Sequence, residues 1–462
     1  MRRASGVFLA LGVAACGSTA APKAPEAVVA ADAGAVAIAV EAGASVTDAA
    51  ATAEVPDAGG TARVAKMMKR VVKARGLAAL KEVPGVVLAR DGLLAKLKAH
   101  VHEEVPPGVI RNEGIELKLL GLLPIALDYE AETFRLFEAQ LAGFYEPSDG
   151  TMYMAADLQG DAAEATLAHE LDHALQDQHF DLKPHSKFEP GKSDAQLAYS
   201  ALAEGDATST MVDVLISRAQ PGKTALDIPE EVFVDGVLKE IGSGEAATTP
   251  HVMQSSLVAP YVYGTLFVHA LRRSGGFPAV DAAWAALPTT TEQILHVDKW
   301  RKHEPALTVA PPPFATLGAG WAAGDVDTSG ELGMRLLFEE WMAAPLAAKA
   351  AEGWGGDRMA LVANGDLAAL AMRVRYDAGP ARPAKSDPFA LVAAALPALG
   401  KTAAKEPAWV CVERAALGPL GVLKKGRDLV LVAGPAKTAS DWGSAGTCAQ
   451  SKTWAKEIAA SP

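Results

Sequence analysis

Apolar residues recur along this chain in two rhythms, and the rhythms mark its elements. Val64, Met67, Met68, Val71 and Val72 repeat at helical spacing among lysines and arginines, and Gly76 closes that helix. Residues 83–88 read as a strand, and helices are expected over about 92–104 and 129–142. Residues 143–154 read as strand, turn, strand, with Pro147 to Gly150 as the turn. Two long helices are expected over about 161–182 and 193–218. Pro311, Pro312 and Pro313 then break the chain, since three prolines continue neither a helix nor a central strand. Beyond them, residues 358–362 and 367–374 flank Asn364-Gly365, the signal for a hairpin with a type I′ turn. Residues 421–423 and 429–432 flank a second turn. The glycine-rich run from Gly353 to Asp357 lacks P-loop spacing and its lysine, so it reads as a turn with tight packing.

The first residues read differently. Arg2 and Arg3 precede the apolar run Val7 to Ala15, which small residues and Cys16 follow. A charged start, a short apolar stretch and small residues make a secretory signal, and the run is far below the ~20 residues that cross a bilayer. Val13-Ala-Ala-Cys16 resembles a bacterial lipobox, in which the cysteine becomes the lipid-carrying first residue of the mature protein. Residues 1–16 are therefore expected to be a lipoprotein signal peptide, with Cys16 as the lipidation site. Residues 17–60 are rich in alanine and lack aromatics and sustained periodicity, and read as a flexible tether.

Composition narrows the class. Of 462 residues, 50% are hydrophobic and 21% charged, which excludes a disordered or collagen-like chain. A net charge of −12 argues against a nucleic-acid partner. Three cysteines less Cys16 leave Cys411 and Cys448, an even pair expected to form a disulfide in an oxidising compartment. The expected location is a bacterial cell envelope, on the periplasmic or outer surface, with a membrane partner only through the N-terminal lipid.

The chemistry concentrates in Asp161 to Phe180. Asp161 and Glu164 have capping-box spacing behind Gly160, and no glycine or proline interrupts until Pro184. At 100° per residue, Leu171 and Leu175 fall on one face and His169 and His173 on the opposite one. Two imidazoles one turn apart can clamp a single zinc ion, with Glu170 placed to take a proton from an attacking water.

A catalytic zinc needs a third protein ligand and one open position. His179 follows His173 by six residues, the third-ligand spacing of metzincins, but Gln176 stands where that pattern breaks its helix with glycine. If the helix continues, His179 rotates away. Glu204 is the stronger candidate: a second helix returning antiparallel can bring its carboxylate to the histidines. Ala198, Ala201 and Ala207 around it permit close helix approach, and a divalent cation compensates the buried carboxylate. Asp206, two residues on, points about 200° away from Glu204, whereas Thr208 shares its face.

The stretch His169-Glu-Leu-Asp-His-Ala-Leu-Gln-Asp-Gln-His-Phe180, followed by Glu204-Gly-Asp-Ala-Thr208, resembles gluzincin-type zinc metallopeptidases. Within them it is most similar to bacterial secreted or lipoprotein members. Residues 143–147 and Thr290 to His296 extend the resemblance, with Val297 where that group usually has proline. The resemblance implies one zinc per chain held by His169, His173 and Glu204, with Glu170 as general base and acid. It also implies that the strand around Thr151 to Met154 lines a protein or peptide substrate as a sheet edge. Tyr261, Tyr263 and His296 are the candidates for an oxyanion donor.

The expected architecture is α+β. A mainly helical zincin-like metallopeptidase domain with a small mixed sheet spans 61–310, and a smaller α+β domain spans 314–462. The expected function is peptide-bond hydrolysis at the cell envelope. Its rivals are a non-catalytic zinc-binding lipoprotein and a zinc hydrolase acting on a non-peptide bond.

Overall fold

The first amphipathic helix begins earlier than its apolar rhythm suggests, at Ala58, and runs to Arg75 (α1) in the computed structural model. The structure describes residues 58–462 apart from 107, 242–247, 381, 384 and 440. Cys16, the expected signal peptide and the tether up to residue 57 lie outside the described residues. The early start has a steric reason. A Cβ on Gly85 would meet the carbonyl carbon of Gly60 at 2.7 Å, so α1 starts directly against strand β1 (Gly85–Leu88).

Helices of eight or more residues are numbered in chain order. α2 (Arg90–Glu104), α3 (Val109–Leu120) and α4 (Tyr129–Gln140) lead into strands β2 (Gly143–Glu146) and β3 (Thr151–Ala155). α3 has no counterpart in the sequence expectations. It is bounded by Gly108 (φ 93°) and Gly121 (φ 79°), a pair of left-handed positions that favour glycine. β1 lies parallel to β3 and β2 antiparallel to it, giving the order β1–β3–β2. The expectation that Thr151 to Met154 forms a sheet edge is thereby corrected. β3 is the central strand, with both flanks hydrogen-bonded, and the edges are β1 and β2.

The two long helices are α5 (Gly160–Phe180) and α6 (Ser193–Ala219). α5 stops because Asp181 turns left-handed (φ 56°). The capping box expected from Asp161 and Glu164 does not form. Gln159 occupies the cap position without a side-chain bond, and Glu164 pairs instead with Arg70 (3.1 Å) and Arg218 (3.2 Å). α5 packs on α1, α6 and β2, so every residue from Thr166 to Gln176 is buried. The imidazole face is thus as buried as the leucine face. α7 (Glu230–Ile241), α8 (His251–Gly275) and α9 (Phe277–Ala285) complete the helical part, followed by two short helices, Thr291–Leu295 and Val297–Arg301.

After the prolines come β4 (Ala322–Asp327), α10 (Gly330–Glu339), α11 (Ala344–Ala351), β5 (Trp354–Asn364) and β6 (Leu367–Tyr376). Then follow α12 (Pro388–Ala395), β7 (Lys401–Glu406), β8 (Trp409–Glu413), β9 (Leu420–Lys425), β10 (Asp428–Lys437), β11 (Gly443–Ser444) and α13 (Cys448–Ala460). They build an antiparallel sheet in the order β4–β5–β6–β10–β9–β8–β7, with β11 on β10.

The β5–β6 hairpin is where the sequence placed it, with a different turn. The two-residue loop is Gly365-Asp366, and of these only Gly365 has positive φ (61°), which is II′ rather than I′ character. Most of Gly353 to Asp357 is strand rather than turn. Its packing is tight, since a Cβ on Gly356 would meet the Leu307 carbonyl oxygen at 2.2 Å. Cys411 in β8 and Cys448 at the start of α13 form a disulfide, with Cα atoms 5.9 Å apart.

The fold is mixed α+β. The triple-proline segment connects the two parts without separating their interiors. One apolar cluster runs from Leu93, Leu97 and Phe144 through Met334 and Phe338 to Leu370 and Leu429. Polar contacts cross as well: Ser193 donates to Asp327, and the Arg414 guanidinium to the Leu119 carbonyl (2.7 Å). Among the described residues, no helix is long and apolar enough to cross a membrane.

Candidate metal centre

Three side chains from two helices converge. α5 carries His169 and His173 one turn apart on one face, and α6 carries Glu204 in its middle. His169 Nε2 lies 3.0 Å from Glu204 Oε2, His173 Nε2 lies 3.5 Å from the same oxygen, and the two Nε2 atoms are 3.2 Å apart. A four-coordinate zinc with bonds of about 2.0–2.1 Å separates its ligand atoms by ~3.3–3.4 Å along each tetrahedral edge. The observed triangle matches that edge within a few tenths of an ångström. The residues present therefore fit a small divalent cation.

Two glycines, together with Ala201 among the alanines singled out in the sequence, let α6 approach its neighbour closely. A Cβ on Gly264 of α8 would sit 1.8 Å from the Ala201 carbonyl oxygen, and one on Gly205 would sit 2.2 Å from the Gly264 carbonyl carbon. The α6 and α8 backbones touch on either side of Glu204. The same crossing delivers Tyr261, one turn before Gly264, to the cluster: its ring stacks on His169 with centroids 5.8 Å apart and planes at 29°.

Glu170 is held beside the triangle by the sheet. Its Oε2 accepts from the backbone N–H of Tyr145 in β2 at 3.0 Å, and its Oε1 has no hydrogen-bond partner among the described residues. Tyr145 is itself anchored, its hydroxyl donating to Asp177 Oδ2 at 2.8 Å. The edge strand β2 thus positions the general-base candidate.

Burial governs the electrostatics. His169, Glu170, His173 and Glu204 expose 2%, 0%, 4% and 0% of their surface. Burial pushes the Glu170 carboxyl well above the ordinary carboxylate range, and pushes the His169 imidazolium down. For His173 burial acts in the same downward direction, but the carboxylates of Glu204 and Glu170 outweigh it and raise the imidazolium. Burial alone would raise Glu204, yet the two imidazoles hold it below its ordinary value.

Gln176 is the residue the sequence reading missed as a participant. It is fully buried and touches His173: Oε1 lies 2.8 Å from His173 Nδ1, while Nε2 donates to Asp172 Oδ2 and the Ala203 carbonyl, both at 3.0 Å. Its i+3 spacing from His173 was the available signal. Asp172 in turn lies beside the Arg75–Asp206 ion pair (2.8 Å) of α1 and α6. Asp206 faces Arg75 and the Trp284 indole (2.9 Å), away from the histidines, as its two-residue offset from Glu204 requires.

The other sequence candidates lie elsewhere. α5 remains helical through Phe180, so His179 turns away, and its Nε2 approaches the Ala78 carbonyl at 2.7 Å. The structure does not bring Tyr263 to the triangle. Two residues from Tyr261, it faces about 200° round α8, where the Arg335 guanidinium covers its ring at 4.9 Å. His296 likewise pairs with Glu331 (2.9 Å), and this contact raises its pKa. A second acidic group, Glu292, Glu304 and Asp377, surrounds Lys299, whose Nζ contacts all three carboxylates at 2.6–2.7 Å. An ammonium already satisfies those carboxylates, so that group is an ion-pair cluster.

Comparison with known proteins reaches only the C-terminal part. Residues 319–442 match a family described as a domain of unknown function (DUF8575), less than a third of the chain and none of the triangle. No curated protein and no solved structure matches the chain.

Proposed function

We propose that the protein is a zinc-dependent peptidase with a gluzincin ligand set, His169, His173 and Glu204. The observation that carries this reading is the convergence of three ligand atoms at tetrahedral spacing beside a buried carboxylate with one unpartnered oxygen. Zinc in this position supplies Lewis acidity, lowering the pKa of water toward ~7 and polarising a carbonyl oxygen. Glu170 Oε1 takes a proton from the attacking water, and the Tyr145 N–H holds the other carboxylate oxygen so that the acceptor points one way. The same oxygen then returns the proton to the leaving amine nitrogen. Tyr261, stacked on His169, is the best-placed side chain to line the reacting carbonyl. A peptide is the substrate expected from the ligand set. A Cys16 lipid anchor and an envelope location belong to the same proposal, and the Cys411–Cys448 bond suits an oxidising compartment.

A second reading, a non-catalytic zinc module, draws support from the near-complete burial of all four groups. Glu170 weighs against it. A purely structural site is closed by a fourth protein ligand and has no use for a buried carboxylate held off the ligand triangle. Glu170→Gln separates the two: it is expected to keep one zinc per chain and to lose at least ~100-fold in cleavage of unfolded protein substrates. Chelator is expected to abolish the activity of the unaltered chain. A Glu170→Gln chain that cleaves as fast as the original would rule out this mechanism.

A further inference from the structure

The Ala203 carbonyl can only accept a hydrogen bond. The Gln176 amide atom 3.0 Å from it must therefore be the nitrogen, whatever the protonation of Asp172 on the other side. The amide oxygen is then the atom 2.8 Å from His173 Nδ1. An amide oxygen only accepts, so Nδ1 carries a proton in both the neutral and the charged imidazole. The one nitrogen of His173 left for a cation is Nε2, the atom at the corner of the triangle.

We propose that Gln176 is the positioning residue of His173: anchored to the α6 backbone at Ala203, it fixes the ring's orientation and its Nδ1–H tautomer, so that the Nε2 lone pair faces the cation site. The inference rests on the zinc reading above. It gives Gln176, at the point where metzincins break their helix, a positive role. The side chain continues α5 and ties it to α6, so that one residue couples ligand orientation to the helix pair that brings Glu204 in. Outer partners of this kind sharpen metal affinity because the ring need not be ordered at the moment of binding.

The test measures zinc affinity of the full chain by competition with a chromophoric chelator, with thermal melting of the metal-free form as the control for folding. Gln176→Met fills a similar volume without hydrogen bonds and is expected to weaken zinc binding about 10–100-fold. Gln176→Glu gives up the N–H bonds to Ala203 and Asp172 but keeps an oxygen facing Nδ1, so it is expected to bind zinc less tightly than the unaltered chain and more tightly than Gln176→Met, a rescue that a packing role alone does not provide. Equal affinities for Gln176→Met and the unaltered chain overturn the positioning role and leave the zinc reading standing. An unaltered chain that takes up no zinc overturns both. If Gln176→Met does not fold, the ring ¹H–¹⁵N correlation spectrum of the zinc-loaded unaltered chain decides. A slowly exchanging proton on His173 Nδ1 supports the role, and zinc on Nδ1 with the proton on Nε2 overturns it.

Discussion

The backbone at Gly264 meets the backbone at Ala201 so closely that a single methyl group would sit 1.8 Å from the Ala201 oxygen. Tyr261, which α8 brings to His169, lies one turn from that contact. Gly264→Ala is expected to force α6 and α8 apart, lowering stability by about 3 kcal/mol and weakening zinc binding with it. Chemical denaturation of the metal-free chain measures the first effect and chelator competition the second. Unchanged stability would show that the helices can slide without cost.

Glu204 and His179 make opposite predictions. Removing the Glu204 carboxylate leaves two imidazoles to hold a cation, so Glu204→Ala is expected to cost zinc affinity at least ~100-fold. His179 faces the Ala78 carbonyl at the far end of α5, and His179→Ala is expected to bind zinc like the unaltered chain. Metal titration of the two variants decides between the ligand sets, and the reverse ranking would restore the metzincin arrangement.

The two tyrosines of α8 are expected to behave differently. Tyr261→Phe is expected to lower kcat about 10–100-fold with zinc content unchanged, because it keeps the ring stacked on His169 and removes only the hydroxyl proposed as the oxyanion donor. Tyr263→Phe changes a ring that faces Arg335 and is expected to leave turnover within about twofold. Steady-state kinetics on one peptide substrate compares them. Equal losses would mean that stability rather than proximity governs both.

Asp194 offers a pH test away from the proposed metal site, near the start of α6. It begins α6, accepts from the Thr291 backbone N–H (2.8 Å) and hydroxyl (2.6 Å), and burial raises its pKa to about 7. A raised carboxyl contributes stability that is complete below its unfolded pKa of about 3.9 and lost as pH climbs toward 7. Asp194→Asn removes the titration and keeps an acceptor. Its melting temperature relative to the original is therefore expected to improve steadily between about pH 4 and 8. A difference that stays constant with pH would refute the assignment.

Local chemistry made much of this centre legible. The four-residue interval between His169 and His173 sets both imidazoles on one helical face, and no breaker separates His173 from His179, so the exclusion of His179 follows from helical pitch. The hairpin at 364–367 was likewise visible, because a glycine that must adopt positive φ announces itself. The capping box failed because α5 starts at Gly160 with Gln159 as its cap, which places Glu164 past the third helical position, where it pairs with arginines from α1 and α6 instead.

Periodicity and spacing therefore determined, by themselves, which residues can share a face: His169 with His173, Asp206 opposite Glu204, and the two hairpins of the C-terminal sheet. Such rules act within one element, over a few residues. Only the tertiary structure decided which faces meet. It put Thr151 to Met154 in the middle of a sheet, passed Tyr261 rather than Tyr263 to His169, and gave His296 to Glu331. It also set Gln176 between His173 and Ala203. The approach of Tyr261 to His169 follows the crossing of α6 and α8, where the backbones touch at Gly205 and Gly264, and no local pattern encodes which distant glycine a helix will touch.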